Sequence, residues 1–183
     1  MKKISVAAII AAGLLSCSSP SAEKSFETVA DSTSAAAPAE APVSYPFPAM
    51  YSADWKIGNP KDVVTVLNVY KAIEENRIDD LSNYLADSVR SINYNAVERN
   101  MSKADAIKMV KEFRTGFVSV NESFIAYMPL HSVDKNEDWV ATWMKEVTTD
   151  KKGKKDSTTY MERWQLKDGK IVYRGAFARD RRF

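Results

Sequence analysis

Glu162 stands in the run Tyr160-Met161-Glu162-Arg163-Trp164-Gln165-Leu166, where alternate residues are aromatic or apolar. A strand here therefore turns a carboxylate toward the side that should be buried. Such a group must be paired, hydrogen-bonded or protonated, because burying its isolated charge costs several kcal/mol. Two readings follow. Beside a cation it is half of a structural ion pair. Left in a cavity it is an acid of raised pKa, the kind of group that moves protons or holds a polar ligand.

The elements around Glu162 decide between them. Asp168-Gly169, between apolar-alternating residues 160 to 167 and 170 to 180, predicts a hairpin closed by a two-residue type I′ turn. In that register Leu166 faces Ile171, Trp164 faces Tyr173, Glu162 faces Gly175 and Tyr160 faces Phe177, all on one side. The opposite side carries Gln165 with Val172, Arg163 with Arg174, and Met161 with Ala176, and two opposed arginines are not buried together. Residues 139 to 150 read as the preceding strand. If apolar continuity turns Trp139, Trp143 and Val147 to the core side, Lys145 comes near Glu162 as its partner; a slip of one residue sends it to the other face.

Other chemistry is sparse. His131 is the only histidine, near a strand end, with Asp134, Glu137 and Asp138 following it in a loop. The chain has no metal-ligand spacing, no phosphate-binding glycine loop and no serine–base signature, so neither a metal nor a cofactor is expected.

Cys17 is the only cysteine. It follows Met1-Lys2-Lys3, an apolar run through residues 4 to 15, and Leu14-Leu15-Ser16. A charged start and a short apolar stretch ending in small residues mark an export signal, too short for the roughly 20 residues of a membrane span. Leu14 and Ser16 resemble the lipobox of bacterial lipoproteins. That resemblance implies cleavage after residue 16 and acylation of Cys17, a durable anchor since each buried methylene adds about 0.8 kcal/mol. With Cys17 so used, disulfides and cysteine nucleophiles are excluded. Ser18 in place of an aspartate favours the outer membrane, on either side of it.

The chain has 26 lysines and arginines against 24 aspartates and glutamates, and Lys2 and Lys3 leave with the leader, so the mature charge is near zero. Nucleic acid is not an expected partner. Residues 17 to 48 are rich in Ser, Ala, Pro and Glu and read as a disordered linker spanning on the order of 30 Å. Tyr45 and Phe47 at the end of the linker, with Tyr51 and Trp55 in the lead-in of residues 49 to 58, form an aromatic run expected to staple onto the domain. Residues 59 to 183 are the folded domain.

Asn59-Pro60-Lys61-Asp62 opens a first helix bearing Val63, Val66, Leu67, Tyr70 and Ile73. A second short helix carries Leu81, Tyr84 and Leu85. Ser102-Lys103-Ala104-Asp105 caps a third, with Ala106, Ile107, Val110 and Phe113, ended by Gly116. Strands follow, with Pro129 implying an edge or bulge near residue 129 and Lys151-Lys152-Gly153-Lys154-Lys155 forming a solvated hairpin tip.

This order, with Ile78-Asp79-Asp80-Leu81, Tyr84-Leu85-Ala86-Asp87-Ser88-Val89 and Asp168-Gly169-Lys170-Ile171-Val172, resembles the SnoaL-like branch of the nuclear transport factor 2-like superfamily over residues 62 to 180. The resemblance implies an α+β, cone-shaped fold, three N-terminal helices packed on a strongly curved antiparallel sheet. The superfamily spans isomerases, cyclases, dehydratases and non-catalytic binding modules, so fold alone leaves function open. Against the ketosteroid isomerases, Asn93 stands at the base position, Val69 at the oxyanion tyrosine with Tyr70 beside it, and Glu162 at the strand acid. Only the acid has a counterpart, which argues against isomerase chemistry by that arrangement.

The expectation is an envelope lipoprotein whose non-catalytic domain binds a small apolar or amphipathic ligand or a protein partner. Tyr70, Asn93, Trp143, Lys145, Tyr160, Trp164, Tyr173 and Phe177 are its pocket candidates. The alternative is a lyase, cyclase or isomerase using Glu162. A homodimer through the outer sheet face, by Met161, Val172 and Ala176, is a third possibility.

Overall fold

The computed structural model describes residues 43 to 179. The leader, Cys17, the linker as far as residue 42 and the chain from Asp180 lie outside the described residues. In chain order the elements are β1 (Trp55–Ile57), α1 (Pro60–Glu74), a 3-10 turn (Ile78–Asn83), β2 (Leu85–Ile92), β3 (Glu98–Ser102), α2 (Lys103–Arg114), β4 (Phe117–Ser132), β5 (Glu137–Asp150), β6 (Lys155–Lys167) and β7 (Lys170–Arg179).

Both helix starts form as their sequences dictate. The Asn59 side chain accepts the Lys61 amide at 3.0 Å, with Pro60 in the first helical turn. Ser102 accepts the Asp105 amide at 3.1 Å. The α1 stripe buries Val63, Val66, Val69 and Tyr70, and α1 lies across β4 and β5. The α2 helix covers the 3-10 turn, β2 and β3. Leu81, Val140, Met144 and Ile171 sit at the centre of the core, each at most 1% exposed.

The strands make one seven-stranded sheet in the order β1-β4-β5-β6-β7-β2-β3. Bulges interrupt the ladders at residues 117 to 119 and 124 to 126 of β4, between residues 85 and 90 of β2, and at Val172 of β7, opposite Gln165 and Leu166. Each bends its strand and adds twist, which curls a sheet around a core.

Three expectations change. The second helix is a 3-10 turn, and Leu85 already belongs to β2. Residues 85 to 102 form a β2–β3 hairpin that sequence analysis did not foresee, because the bulge in β2 breaks the alternation that announces a strand. The sheet is not wholly antiparallel: β2 runs parallel to β7, with Leu85 opposite Ile171.

The lead-in is partly a strand. Trp55–Ile57 pairs with residues 130 to 132 at one end of β4, so Pro129 lies on a side of β4 that is otherwise an edge. The Tyr51 ring packs on Trp55 and Trp139, and its hydroxyl donates to Glu137 at 2.7 Å. Tyr45 and Phe47 do not staple; they are exposed. Gly58 ends β1, its amide donating to the Pro129 carbonyl at 3.1 Å. A Cβ on Gly58 would stand 2.9 Å from the Leu130 backbone, which cannot move without parting the strands.

We therefore expect Gly58→Ala to cost about 1–3 kcal/mol, the usual penalty for overpacking a tight contact. Urea unfolding checks it, and a variant as stable as the parent would show that the β1–β4 contact is dispensable.

Candidate functional site

Asp168 and Gly169 take φ of 51° and 71°, the two left-handed positions of a type I′ turn, so the hairpin closes as predicted. Its register then breaks. Leu166 faces Ile171, but the bulge places Gln165 opposite Tyr173, Trp164 opposite Arg174, Arg163 opposite Gly175, Glu162 opposite Ala176 and Met161 opposite Phe177. Arg174 thereby moves onto the buried face, while Tyr173 and Phe177, expected there, go to the other. Two arginines that would have opposed each other are separated, and the buried glutamate acquires a cation. Ala176 is buried opposite Glu162 rather than on the outer face.

The neighbouring strand is also turned over. Thr142 faces Glu162, Met144 faces Tyr160 and Val140 faces Trp164, which puts Trp139, Trp143 and Lys145 on the outer side. Lys145 is therefore not the partner of Glu162, and Trp143 is not a pocket residue. Apolar continuity misled because β5 is apolar on both sides: Trp139 is covered from outside by Tyr51 and Tyr173.

Glu162 is 1% exposed, and both of its carboxylate oxygens accept directed hydrogen bonds. Tyr70 of α1 donates to Oε2 at 2.5 Å, and Arg174 donates through Nε to Oε2 at 3.2 Å and through Nη2 to Oε1. Thr142 shares a hydrogen bond with the Tyr70 hydroxyl at 3.2 Å, and Trp164 Nε1 donates to that hydroxyl at 3.2 Å. Burial and then the Glu162 charge hold the Tyr70 phenol well above its ordinary pKa, so it remains a donor. Burial works against the Arg174 charge, but the charge and hydrogen bonds of Glu162 outweigh it and its pKa is raised. The result is a two-point guanidinium–carboxylate pair, fixed in orientation.

A second acidic centre lies beside it. Glu122 of β4 and Glu146 of β5 are direct cross-strand partners on the inner face. Burial, then the charges of Glu146 and Glu162, push the Glu122 carboxyl up to about 9. Glu146 is raised too, by burial and then by Glu162, with its hydrogen bond to Glu122 and the Arg174 charge pulling the other way. As two carboxylates the pair leaves Glu122 Oε2 shielded from solvent with no partner. One proton held between them removes that defect and the like-charge repulsion together.

Both centres open into a cavity of about 310 Å³ between the sheet, α1 and α2. Val69, Leu81, Val89, Met101, Val110 and Met144 are among its apolar walls; Glu122, Glu146, Glu162, Arg174 and Tyr160 are among its polar residues, with Ser91, Asn93 and Arg99 on the β2–β3 side. Of the predicted site residues, Glu162, Tyr70, Tyr160, Trp164 and Asn93 line it. Asn93 also serves the β2–β3 turn, its Oδ1 accepting the Asn95 and Val97 amides, each at 3.0 Å. Sequence analysis missed Glu122, Glu146 and Arg174. Their signal was present: Glu122 interrupts Val120 and Phe124, and Glu146 interrupts Met144 and Thr148, in otherwise inward-facing series. His131 lies apart at the other end of β4, its Nδ1 2.8 Å from Asp138 Oδ1.

No protein-family model matches the chain, and no curated protein does. Solved structures share its fold. An epoxide hydrolase of the LEH-like type from Mycobacterium tuberculosis superimposes with a TM-score of 0.56 at 11% identity, over 66% of this chain and 84% of that one. An NTF2-like protein of unknown function from Exiguobacterium sp. 255-15 gives 0.54 at 18% identity, over 63% and 98%. A protein assigned as a SnoaL-like polyketide cyclase from Jannaschia sp. CCS1 gives 0.50 at 15%, over 65% and 85%. The fold is thus the NTF2-like, SnoaL-like cone that the sequence motifs suggested.

Between the ordinary carboxyl pKa and about 9, the folded chain holds a proton on Glu122 that the unfolded chain has released. That contribution to stability is complete below the unfolded value and is lost as pH rises through the folded one. Glu146, also raised, acts in the same direction. Stability should therefore decline from pH 5 to pH 9, by at most about 1.4 kcal/mol per pH unit for each proton. Glu122→Gln should flatten the decline and be the more stable form at pH 8. Urea unfolding across that range decides, and an unchanged slope in the variant would contradict the shared proton.

Proposed function

We propose that the domain is the ligand-binding part of an envelope-anchored lipoprotein, and that its cavity receives a small, mainly apolar molecule with one polar end. The observation that carries this is a mainly apolar cavity into which three carboxylates, Glu122, Glu146 and Glu162, are grouped on neighbouring strands of the sheet. Its volume, about 310 Å³, is at the lower limit of small-molecule pockets, which run from about 300 to 1,000 Å³. Apolar surface supplies the affinity and the cluster fixes orientation.

A second reading is favoured by the Glu122–Glu146 pair. A protonated carboxyl beside an ionised one can give a proton to one atom of a substrate and take a proton from another, the requirement for lyase, cyclase or hydrolase chemistry. Glu162 is then a positioning residue: bonded to Tyr70 and Arg174, it holds Arg174 in place. The LEH-like neighbour is an epoxide hydrolase by description, which agrees with acid–base use of such a cavity without assigning a reaction to this chain.

Anchoring rests on the lipobox-like residues before Cys17, with Ser18 favouring the outer membrane. Cys17→Ser should abolish the acyl mass and move the protein from the membrane to the soluble envelope fraction; retention in the membrane would refute acylation at this site. Native mass spectrometry of the protein purified from envelopes should show a co-purifying small molecule. Val110→Trp, which fills the cavity from α2, should lower its occupancy at least tenfold. An unaltered occupancy, or none in the parent, would count against the pocket. If the molecule is converted on incubation, Glu146→Gln should slow conversion about 10²-fold or more, the usual weight of a general acid or base.

A further inference from the structure

The cavity holds more acid than base. Glu122, Glu146 and Glu162 approach from β4, β5 and β6, and Glu74 of α1 adds its charge to those acting on Glu122. From the other elements facing them come Tyr70 of α1, Tyr160 of β6, Arg174 of β7 and, in the lining on the β3 side, Arg99. Arg174 is committed to Glu162 through two nitrogens, and Arg99 Nη1 is directed to Met109 Sδ at 4.0 Å. Among the described residues, neither Glu122 nor Glu146 has an ion-pair partner, although Glu122 Oε2 is fully shielded from solvent.

We infer that the occupant of the cavity is an amphipathic primary or secondary amine, bound as its ammonium ion against Glu122 and Glu146 with its hydrocarbon part along the apolar walls. The inference rests on the pocket reading above and names its ligand class. Three observations converge on it. An ammonium brings the positive charge that the pair lacks, and its N–H groups can donate to the carboxylate oxygens of the pair, which a quaternary ammonium cannot do. Tyr94 and Tyr160 both line the cavity with ring centroids 6.2 Å apart, an aromatic pair of the kind that attracts a cation. An anionic ligand meets the opposite conditions, since the cation nearest the pair is already neutralised by Glu162.

The exchange balances in protons. The free pair holds one proton; an arriving ammonium displaces it, and the proton leaves to buffer while both carboxylates become acceptors. A neutral alcohol displaces none.

The test is calorimetric titration of the full-length protein at pH 7 with cyclohexylmethylamine and with its isostere cyclohexylmethanol, in phosphate and in Tris, whose ionisation enthalpies differ. The amine should bind at least tenfold more tightly, and the difference between buffers should report about one proton released per molecule bound. Glu122→Gln should weaken amine binding at least tenfold and leave the alcohol within about threefold. Val110→Trp should weaken both. Equal or tighter binding of the alcohol, or amine binding without proton release, overturns the ammonium assignment and leaves the pocket standing. Binding of neither overturns the pocket reading with it.

Discussion

The arrangement turns on one requirement, that a carboxylate 1% exposed in the sheet interior be fully partnered. Removing one member of a buried ion pair typically costs about 3–5 kcal/mol, because the other charge is left without compensation. Glu162 therefore constrains what is built around it. Tyr70 ties α1 to β6, Arg174 ties β7 to β6, and Trp164 and Thr142 close the ring through the Tyr70 hydroxyl. The α1 helix is set over the sheet by hydrogen bonds with definite directions as well as by apolar contact, which permits one depth and one rotation where apolar packing alone permits several.

The bulge at Val172 of β7, opposite Gln165 and Leu166, makes this possible. Without it Arg174 would share the outer face with Arg163, and Tyr173 would occupy the place beside Trp164. With it, Arg163 lies on the outer side against Tyr173, donating to its hydroxyl at 3.1 Å, and Arg90 lies over the same ring. Gly175 belongs to this solution: a Cβ there would stand 2.5 Å from the Tyr173 hydroxyl and 2.9 Å from Arg163 Nε. One inserted residue thus produces an inner face with a charge pair and an outer face with an arginine–aromatic stack.

The fold was legible because its signals are local. Asn59-Pro60, Ser102 to Asp105 and Asp168-Gly169 each specify a backbone conformation within a few residues, and each formed as expected. The site was less legible because it depends on register, and register is a relation between distant segments. Glu162, Tyr160 and Trp164 were identifiable from a polar interruption in an aromatic series, and Tyr70 from the apolar stripe of α1. Arg174 was hidden by a bulge with no turn residue to announce it. Lys145 and Trp143 were misplaced because the apolar pattern of β5 serves two covered faces and so does not choose one. Glu122 and Glu146 were passed over although they interrupt inward series just as Glu162 does. Without a settled face for β4 and β5, an acid there reads as an ordinary solvent-facing residue.

The division of labour among the three acids follows from how completely each is satisfied. Glu162 has its donors in place, so a ligand gains little by approaching it and a reaction would have to dismantle the contacts that seat α1. Glu122 and Glu146 face each other with a single proton to share, a state whose energy depends on what enters the cavity. A donor or cation arriving there relieves repulsion that the protein has not relieved by itself, and a basic atom arriving there can take the proton. In the proposed function both binding energy and reactivity are therefore drawn from this pair, where β4 meets β5, rather than from the more deeply buried carboxylate between β6 and β7.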